Sequence, residues 1–255
     1  MLILLPPSEG KTPPAEKRDA RLDLNSLAMP ELAPQRRQVL TALSEVSAGD
    51  EAQEVLKVGA RVIPEVRRNT ELDQAPAAPA WQIYTGVLFE ALKPETLTAA
   101  QHRRAAESVR IFSGLFGAVG FADQIPAYRL SMGVSLPGIG RLSTWWKQAL
   151  AEPMGRQAAD QLVIDCRSAT YAAAYSPPAE QTLAVNSFTV RNGQRKVVTH
   201  FAKHARGELA GMLLRSRRRP TNVDEVAEIA SARWEVEVRP ATGRRGHQLD
   251  LISSE

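Results

Sequence analysis

Three short apolar runs, far apart in the chain, constrain the fold more than any other feature. Leu2–Leu5, Val109–Phe112 and Gln161–Cys166 have the length and the apolar content of buried strands. The intervening sequence has helical spacing of apolar residues, for example over Pro30–Val46 and Thr96–Glu107. Strands that alternate with helices predict a mixed α/β chain, in which ligand groups commonly follow the ends of the strands.

Composition predicts an ordinary soluble domain. The 255 residues are 44% hydrophobic and 24% charged, which is enough to bury a substantial core, and we predict a single domain over residues 1–255 with a central mixed sheet and surrounding helices. Cys166 is the single cysteine, so an internal disulfide is excluded and a reducing compartment is expected. The apolar start, Met1–Leu5, is too short for a signal peptide, and we predict a cytoplasmic protein without a membrane partner.

The charge balance favours a local anion site over a broad basic surface. The formal net charge is only +4, whereas non-specific DNA binding draws on many phosphate contacts. Most of the cations are arginines, which prefer planar, bidentate contacts with phosphate or carboxylate groups.

The segment Val109–Gly133 combines a predicted strand with an irregular stretch that is rich in glycine. Ser113-Gly114 follows the strand, and glycine allows a tight turn or a close approach of the backbone. Pro126 favours extended backbone before it, so Tyr128–Leu130 is predicted to form a second short strand around Arg129. Two interpretations remain open for this segment, a turn-rich core crossing and one wall of an anion site.

The loop after the first strand, Ser8–Thr12, contains a lysine flanked by hydroxyl residues. Gly10-Lys11-Thr12 is similar to the end of a phosphate-binding P-loop, but Leu5 occupies the position of the first glycine and Pro13-Pro14 blocks the helix that should follow. A true P-loop is therefore not expected. Ser8 and Lys11 remain candidates at a strand end, with an ordinary solvated loop as the alternative.

Polar residues also follow the third strand and begin a later helix. Ser168 and Tyr171 come directly after the strand Gln161–Cys166. Lys203 and Arg206 lie in the first turns of a helix predicted over residues 202–217, where the helix dipole disfavours cations, so a ligand is a reason for them to be there. Asn192-Gly193 lies between two alternating runs and predicts a hairpin.

A glycine-containing segment before a predicted helix offers a candidate contact for nucleic acid. Leu136–Gly140, with the sequence L-P-G-I-G, is similar to the hairpin of a helix-hairpin-helix element, whose backbone amides can contact DNA phosphates. That element also needs a helix before the hairpin, but residues 129–136 favour a strand. His200 and His204 have the spacing of a zinc-protease motif without its glutamate, so no metal site is expected.

Several blocks of sequence, in this order, resemble the peroxide-stress YaaA family, also known as DUF328 or UPF0246. The blocks cover nearly the whole chain and include Gly10-Lys11-Thr12, Tyr84-Thr85-Gly86, Ser113–Gly117, Pro126–Gly133, Trp146, Ser168–Tyr171 and Phe201–Gly207. The opening P-P-S-E-G-K-T is longer than the family's common S-P-A-K-T. Asp165-Cys166-Arg167 replaces a more usual Asn-Leu-Ala.

The resemblance implies a cytoplasmic protein of the hydrogen-peroxide response that limits free intracellular iron. It also implies DNA binding and a compact YaaA-type fold, mixed α/β, with a helix-hairpin-helix-like element. No established reaction comes with the family. No cofactor and no stable protein partner are implied.

Three hypotheses from different classes follow, and we rank DNA binding first because the resemblance supports it. The first is a protein that binds double-stranded DNA through a basic groove containing glycines. The second is an enzyme that acts on a nucleotide-like or other phosphate-bearing anionic small molecule. The third, an iron-binding protein, is disfavoured because four histidines and one cysteine are scattered along the chain. The first two share one set of candidate binding residues: Ser8, Lys11, Tyr84, Ser113, Gly114, Tyr128, Arg129, Ser168, Tyr171, Lys203 and Arg206.

Overall fold

A central sheet with helices on both sides organises the computed structural model, which describes residues 1–191 and 194–254. The strands are β1 (Leu2–Leu5), β2 (Ala78–Pro79), β3 (Val109–Ser113), β4 (Gly117–Gly120), β5 (Gln124–Ile125), β6 (Ser135–Leu136), β7 (Gly140–Arg141), β8 (Val163–Asp165), β9 (Thr182–Arg191), β10 (Gln194–Lys196), β11 (Glu235–Arg239) and β12 (His247–Ser254). The α-helices are α1 (Ala33–Ala48), α2 (Ala52–Leu56), α3 (Ile63–Arg67), α4 (Ala80–Ile83), α5 (Val87–Leu92), α6 (Ala99–Ser108), α7 (Leu142–Ala158), α8 (Ala169–Ala172), α9 (Thr199–Arg215) and α10 (Val223–Ser231). None of these helices has the length and the apolar character that crossing a membrane requires.

Eight strands within the described ranges form one mixed sheet. Its order is β11-β12-β9-β8-β1-β3-β4, and β10 pairs with β9. The inner strands β3, β1, β8, β9 and β12 run parallel. The strands β4, β10 and β11 are antiparallel to their partners. The predicted mixed α/β fold with a central sheet is therefore confirmed.

Strand β1 lies in the middle of this sheet because its sequence is apolar on both faces. Every side chain of Leu2–Leu5 is at most 2% exposed, as expected for a parallel strand covered by helices on each side. Its register pairs Leu5 with Ile111 and Leu4 with Asp165. The loops that follow β1, β3 and β8 consequently leave the sheet at the same edge.

Helix α9 packs against α5 through a glycine. A Cβ atom at Gly207 would lie 1.9 Å from the carbonyl oxygen of Leu88, so a larger residue would force the two helices apart. Helix α9 begins at Thr199, three residues before its predicted start. Lys203 and Arg206 therefore belong to its second turn, and the close packing fixes their height above the sheet.

The predicted strand at Tyr128–Leu130 is wrong. Residues 126–130 are irregular, and β3 instead pairs with β4 in a tight hairpin. The reason is a side chain that takes the place of a neighbouring strand. The backbone N–H of Arg129 donates to Asn69 Oδ1 at 2.9 Å, and Asn69 Nδ2 donates to the carbonyl of Arg129 at 3.0 Å.

Two predicted hairpins have different outcomes. The Leu136–Gly140 segment forms the two-stranded ladder of β6 and β7 directly before α7. Residues 126–134, just before it, contain no helix, so the helix-hairpin-helix-like element stays a prediction. Strands β9 and β10 pair antiparallel as expected for the other hairpin, while its predicted turn, Asn192-Gly193, lies outside the described residues.

Candidate functional site

Two adjoining cavities lie at the edge where β1, β3 and β8 end. One, here the Arg206 cavity, has a volume of about 530 Å³ and is lined by Ser168, Lys203 and Arg206. The other, here the Lys11 cavity, has a volume of about 350 Å³ and is lined by Lys11 and Arg129. Both are also lined by Ser8, Glu9, Ser131 and Tyr171. The two cavities are thus neighbours that share one wall.

The Arg206 cavity has a cationic side and an apolar side. Arg206 is partly buried, and its Nε donates to the carbonyl oxygen of Val185 in β9 at 2.9 Å. Lys203 is exposed one helical turn earlier. The apolar wall comes from the loop after β1 and from α5: Pro6, Pro7, Val87, Leu88 and Phe89. This arrangement can hold an anionic group at one end and a flat apolar group at the other.

In the Lys11 cavity, backbone carbonyl groups hold the amine. Lys11 Nζ donates to the carbonyl of Ser8 at 2.9 Å and to that of Glu9 at 3.3 Å. It lies 4.3 Å from the centre of the Tyr128 ring. Burial, together with the nearby Arg129, lowers the pKa of Lys11 from 10.5 to about 7, against the opposite effect of Glu65 and Glu9. Near neutral pH a large share of this amine is uncharged.

Arg129 is positioned beside Lys11 by three groups. Its Nη1 donates to the carbonyl of Glu9 at 2.6 Å and lies 3.5 Å from Glu65 Oε2. Asn69, which is 1% exposed, holds its backbone from the other side. Neither Glu65 nor Asn69 was among the predicted site residues. Both lie about 60 positions before Arg129 in the sequence, where no local pattern marks them.

Three of the predicted residues form a chain of hydroxyl groups behind the site. The Tyr128 hydroxyl lies 2.6 Å from Ser113 Oγ and 2.9 Å from the Tyr84 hydroxyl. The backbone N–H of Phe116 donates to Ser113 Oγ at 3.0 Å. Burial raises the pKa of both tyrosines, which keeps the phenols neutral. None of the three lines the Arg206 cavity or the Lys11 cavity, so their role is to support the wall that carries Lys11.

Gly114 also lies behind the cavities. Its carbonyl accepts a hydrogen bond from Trp146 Nε1 at 2.8 Å. An added Cβ atom would meet the backbone of Leu130 and Ser131 at 3.0 Å. Gly114 therefore lets the segment that carries Arg129 and Ser131 pass close to the end of β3. Ser131 is a lining residue that the sequence analysis left out, although it stands in the same motif as Arg129.

The loop after β8 is fixed by an ion pair that was also missed. Arg167, which is 5% exposed, donates to both carboxylate oxygens of Asp165 and to the carbonyl of Tyr175. This contact holds the loop that presents Ser168 and Tyr171 to the Arg206 cavity. Burial raises the pKa of the Cys166 thiol to about 12, so this cysteine is a packing residue here. Opposite charges two positions apart, at the end of a strand, were the sequence feature that could have indicated this ion pair.

No metal site is seen in the part of the chain that the structure describes. Within residues 1–191 and 194–254, no group of three or more histidine, cysteine, aspartate or glutamate side chains is placed to hold a metal ion. His204 instead lies 3.5 Å from Glu208 of the same helix.

Comparisons with known proteins agree on one family. The model of the family described as "Peroxide stress protein YaaA" matches residues 1–239. A UPF0246 protein of Streptomyces coelicolor is 47% identical, and the alignment covers 100% of this chain and 99% of the relative. A UPF0246 protein of Corynebacterium efficiens is 44% identical over 90% of this chain and 91% of its own length. An uncharacterized protein of Campylobacter jejuni is 30% identical over 82% of each.

Proposed function

This chain belongs to the family of the peroxide stress protein YaaA, and on that premise we propose that it serves the response to hydrogen peroxide by binding a phosphate-bearing small molecule. The ligand occupies the Arg206 cavity, with its phosphate at Lys203 and Arg206. The observation that carries this proposal is the combination of these cations with an apolar wall in one concave cavity of about 530 Å³. Spaces of this size hold nucleotide-sized molecules.

The concave shape of the Arg206 cavity favours a small molecule over a duplex as the ligand of this site. A duplex presents a convex surface of regularly spaced phosphates and is usually bound by many dispersed cations. Here the cations face two concave cavities, and Lys11 is held by the carbonyl groups of its own loop. We therefore place the nucleotide-like ligand before DNA, which the sequence analysis had ranked first.

DNA binding remains the second candidate, at a different surface. The hairpin of β6 and β7 exposes Gly138 and Gly140, both with positive φ, and Arg141 is exposed directly before α7. Exposed backbone amides next to an arginine can contact phosphates of a duplex. This surface is distinct from the lining of the Arg206 cavity.

The iron-limiting role is expected from the resemblance, and we propose that it is exercised through the bound ligand or DNA. This proposal fits the lack of a suitable cluster of metal-ligating side chains among the described residues. An effect on free iron would then depend on residues of the binding site such as Arg206.

Thermal unfolding with a panel of nucleotides and inorganic phosphate tests the first candidate. A ligand present at about 100 times its Kd should stabilise the protein by about 2.7 kcal/mol and raise Tm by several degrees. Arg206→Ala should abolish the shift, because it removes the guanidinium group from the cavity. Arg37→Ala, at an exposed position of α1, is the matched control and should retain it. A panel that stabilises nothing would contradict the proposal.

Salt titration of binding to a short duplex tests the second candidate, DNA binding, separately from nucleotide binding. Arg141→Ala should weaken duplex binding and reduce the salt dependence by about one released ion, while nucleotide binding is unchanged. Loss of duplex binding in Arg206→Ala but not in Arg141→Ala would instead assign DNA to the Arg206 cavity.

A further inference from the structure

The geometry around Lys11 is that of a nucleophilic amine. An uncharged primary amine has two N–H groups and one lone pair. The carbonyl groups of Ser8 and Glu9, at 2.9 and 3.3 Å, match the two N–H groups. The lone pair is left for a third partner. Lys11 also lines the open space of the Lys11 cavity, so a small ligand can reach the amine.

Burial, more than the surrounding charges, keeps part of the Lys11 amine unprotonated at neutral pH. Arg129 acts with burial by repelling the ammonium form, Glu65 and Glu9 act in the opposite direction by attracting it, and the resulting pKa is about 7. The Tyr84 and Tyr128 rings face the amine as neutral phenols. Further charged side chains line a third cavity, which Lys11 also borders: Glu16, Arg68 and Glu71.

The position of Lys11 relative to the anion site determines which part of a ligand can reach its amine. The Lys11 cavity shares Ser8, Glu9, Ser131 and Tyr171 with the Arg206 cavity. A molecule whose phosphate lies at Lys203 and Arg206 can therefore extend past Tyr171 toward Lys11. Its anionic group then stays away from the amine, which would otherwise be protonated.

We propose that Lys11 forms an imine with the aldehyde or ketone group of a phosphate-bearing small molecule; this rests on the anion site proposed above. The lone pair of Lys11 Nζ attacks the carbonyl carbon, and the new C–N bond gives a carbinolamine after a proton moves from nitrogen to oxygen. The hydroxyl group then leaves as water when a second proton reaches it, a C=N bond forms, and the remaining N–H proton is released from the nitrogen. Tyr171 lines the cavity, and its hydroxyl, which burial keeps protonated by raising its pKa, donates the proton to the leaving group and takes back the proton released from the nitrogen. No oxidant or reductant is consumed.

Trapping with pyridoxal 5′-phosphate, used as a probe that carries both an aldehyde and a phosphate, tests the proposal on the wild-type protein. The protein is incubated with the probe at pH 7, reduced with borohydride, digested, and analysed by mass spectrometry. The chain has six other lysines as internal comparisons: Lys17, Lys57, Lys93, Lys147, Lys196 and Lys203. At pH 7 about half of an amine with a pKa near 7 is uncharged, against fewer than about one in a thousand at the ordinary lysine value.

The expected result is modification of Lys11 at least tenfold above each of the six comparisons, with a half-maximal rate near pH 7. Inorganic phosphate should compete, and pyridoxal without the phosphate should label Lys11 more weakly. Lys11→Met should lose the label, while Lys147→Arg should keep it. Uniform labelling of the lysines, or labelling of Lys11 that phosphate does not reduce, would overturn the proposal. If nucleotides raise Tm while Lys11 is not selectively labelled, the imine fails and the anion site stands; if neither occurs, both fail.

Discussion

At the scale of single residues, a buried arginine is stabilised by backbone carbonyl groups, without a carboxylate in contact with it. Arg36 is 0% exposed, and its guanidinium donates to the carbonyls of Ala28, Met29, Phe116 and Ala118 at 2.7 to 3.2 Å. Phe116 lies in the turn between β3 and β4, and Ala118 lies in β4. Arg36 thus ties α1 to the segment that follows Ser113.

Arg36→Met should destabilise the protein by about 3 kcal/mol or more, because it removes four hydrogen bonds to backbone carbonyls, each contributing roughly 0.5–1.5 kcal/mol. Urea unfolding measures the change in the free energy of unfolding. The neighbouring Arg37 is exposed, so Arg37→Met should change the same quantity by less than about 0.5 kcal/mol. Similar effects of the two substitutions would show that the buried hydrogen bonds contribute little.

Lys11 gives a prediction for pH dependence. Its pKa is lowered to about 7 in the folded protein from 10.5, so between these values the unfolded chain binds more protons than the folded one. The free energy of unfolding should consequently rise with pH from 7 toward 10, by up to about 1 kcal/mol per pH unit. Lys11→Met removes this contribution. Urea unfolding at pH 6, 7, 8 and 9 should show the stability advantage of Lys11→Met over wild type shrinking above pH 7, and a constant difference would refute the lowered pKa.

At the scale of secondary-structure elements, the packing of α9 on α5 connects stability to the site. Gly211 repeats the close approach of Gly207 one turn later, since its added Cβ atom would lie 2.8 Å from the carbonyl of Leu92. Two glycines on one face of α9 let this helix pack closely against α5. Arg206 lies about 100° around the helix from Gly207, and its contact with Val185 links α9 to β9.

Gly207→Ala should lower the free energy of unfolding by about 1–3 kcal/mol, the usual cost of overfilling a packed contact. It should also weaken nucleotide binding, because a raised α9 carries Lys203 and Arg206 away from the cavity. Gly155→Ala in α7 is the matched control. No atom lies within 4 Å of its added Cβ, and replacing glycine inside a helix should stabilise the protein by up to about 1 kcal/mol. Calorimetric melting with and without ligand measures both effects.

The elements themselves were predictable where local sequence decides them. Leu2–Leu5 and Val109–Phe112 form strands because an apolar run of that length has few other stable arrangements. The wrong strand at Tyr128–Leu130 shows the limit, since a side chain from residue 69 satisfies the backbone there. The lining of the site by Lys11, Arg129 and Tyr171 was anticipated as a hypothesis. The sequence could not show that Ser113, Tyr84 and Tyr128 lie behind the site. Their contacts join residues that are 15 to 44 positions apart.

At the scale of the whole molecule, the basic charge is dispersed by pairing. Several surface arginines form ion pairs with carboxylates: Arg156 with Glu31, Arg195 with Glu237, Arg219 with Glu107 and Arg233 with Glu208. Such exposed pairs add little stability, but they reduce the positive potential over the surface. Arg215, which the sequence places in a basic cluster, donates to the carbonyls of Leu92 and Lys93. Part of the arginine charge outside the two cavities is therefore offset by nearby acceptors.

The central position of β1 has a consequence for how the protein is made. Residues 2–5 are synthesised well before their partners in the sheet, residues 109–111 and 163–165. More than a hundred residues must therefore leave the ribosome before this apolar strand can pair on either side. Contacts so distant in sequence slow folding, and the apolar strand β1 stays exposed to solvent until its partners are made. We expect a chaperone to bind the nascent chain at this stage, because the central strand of the sheet is made long before its neighbours.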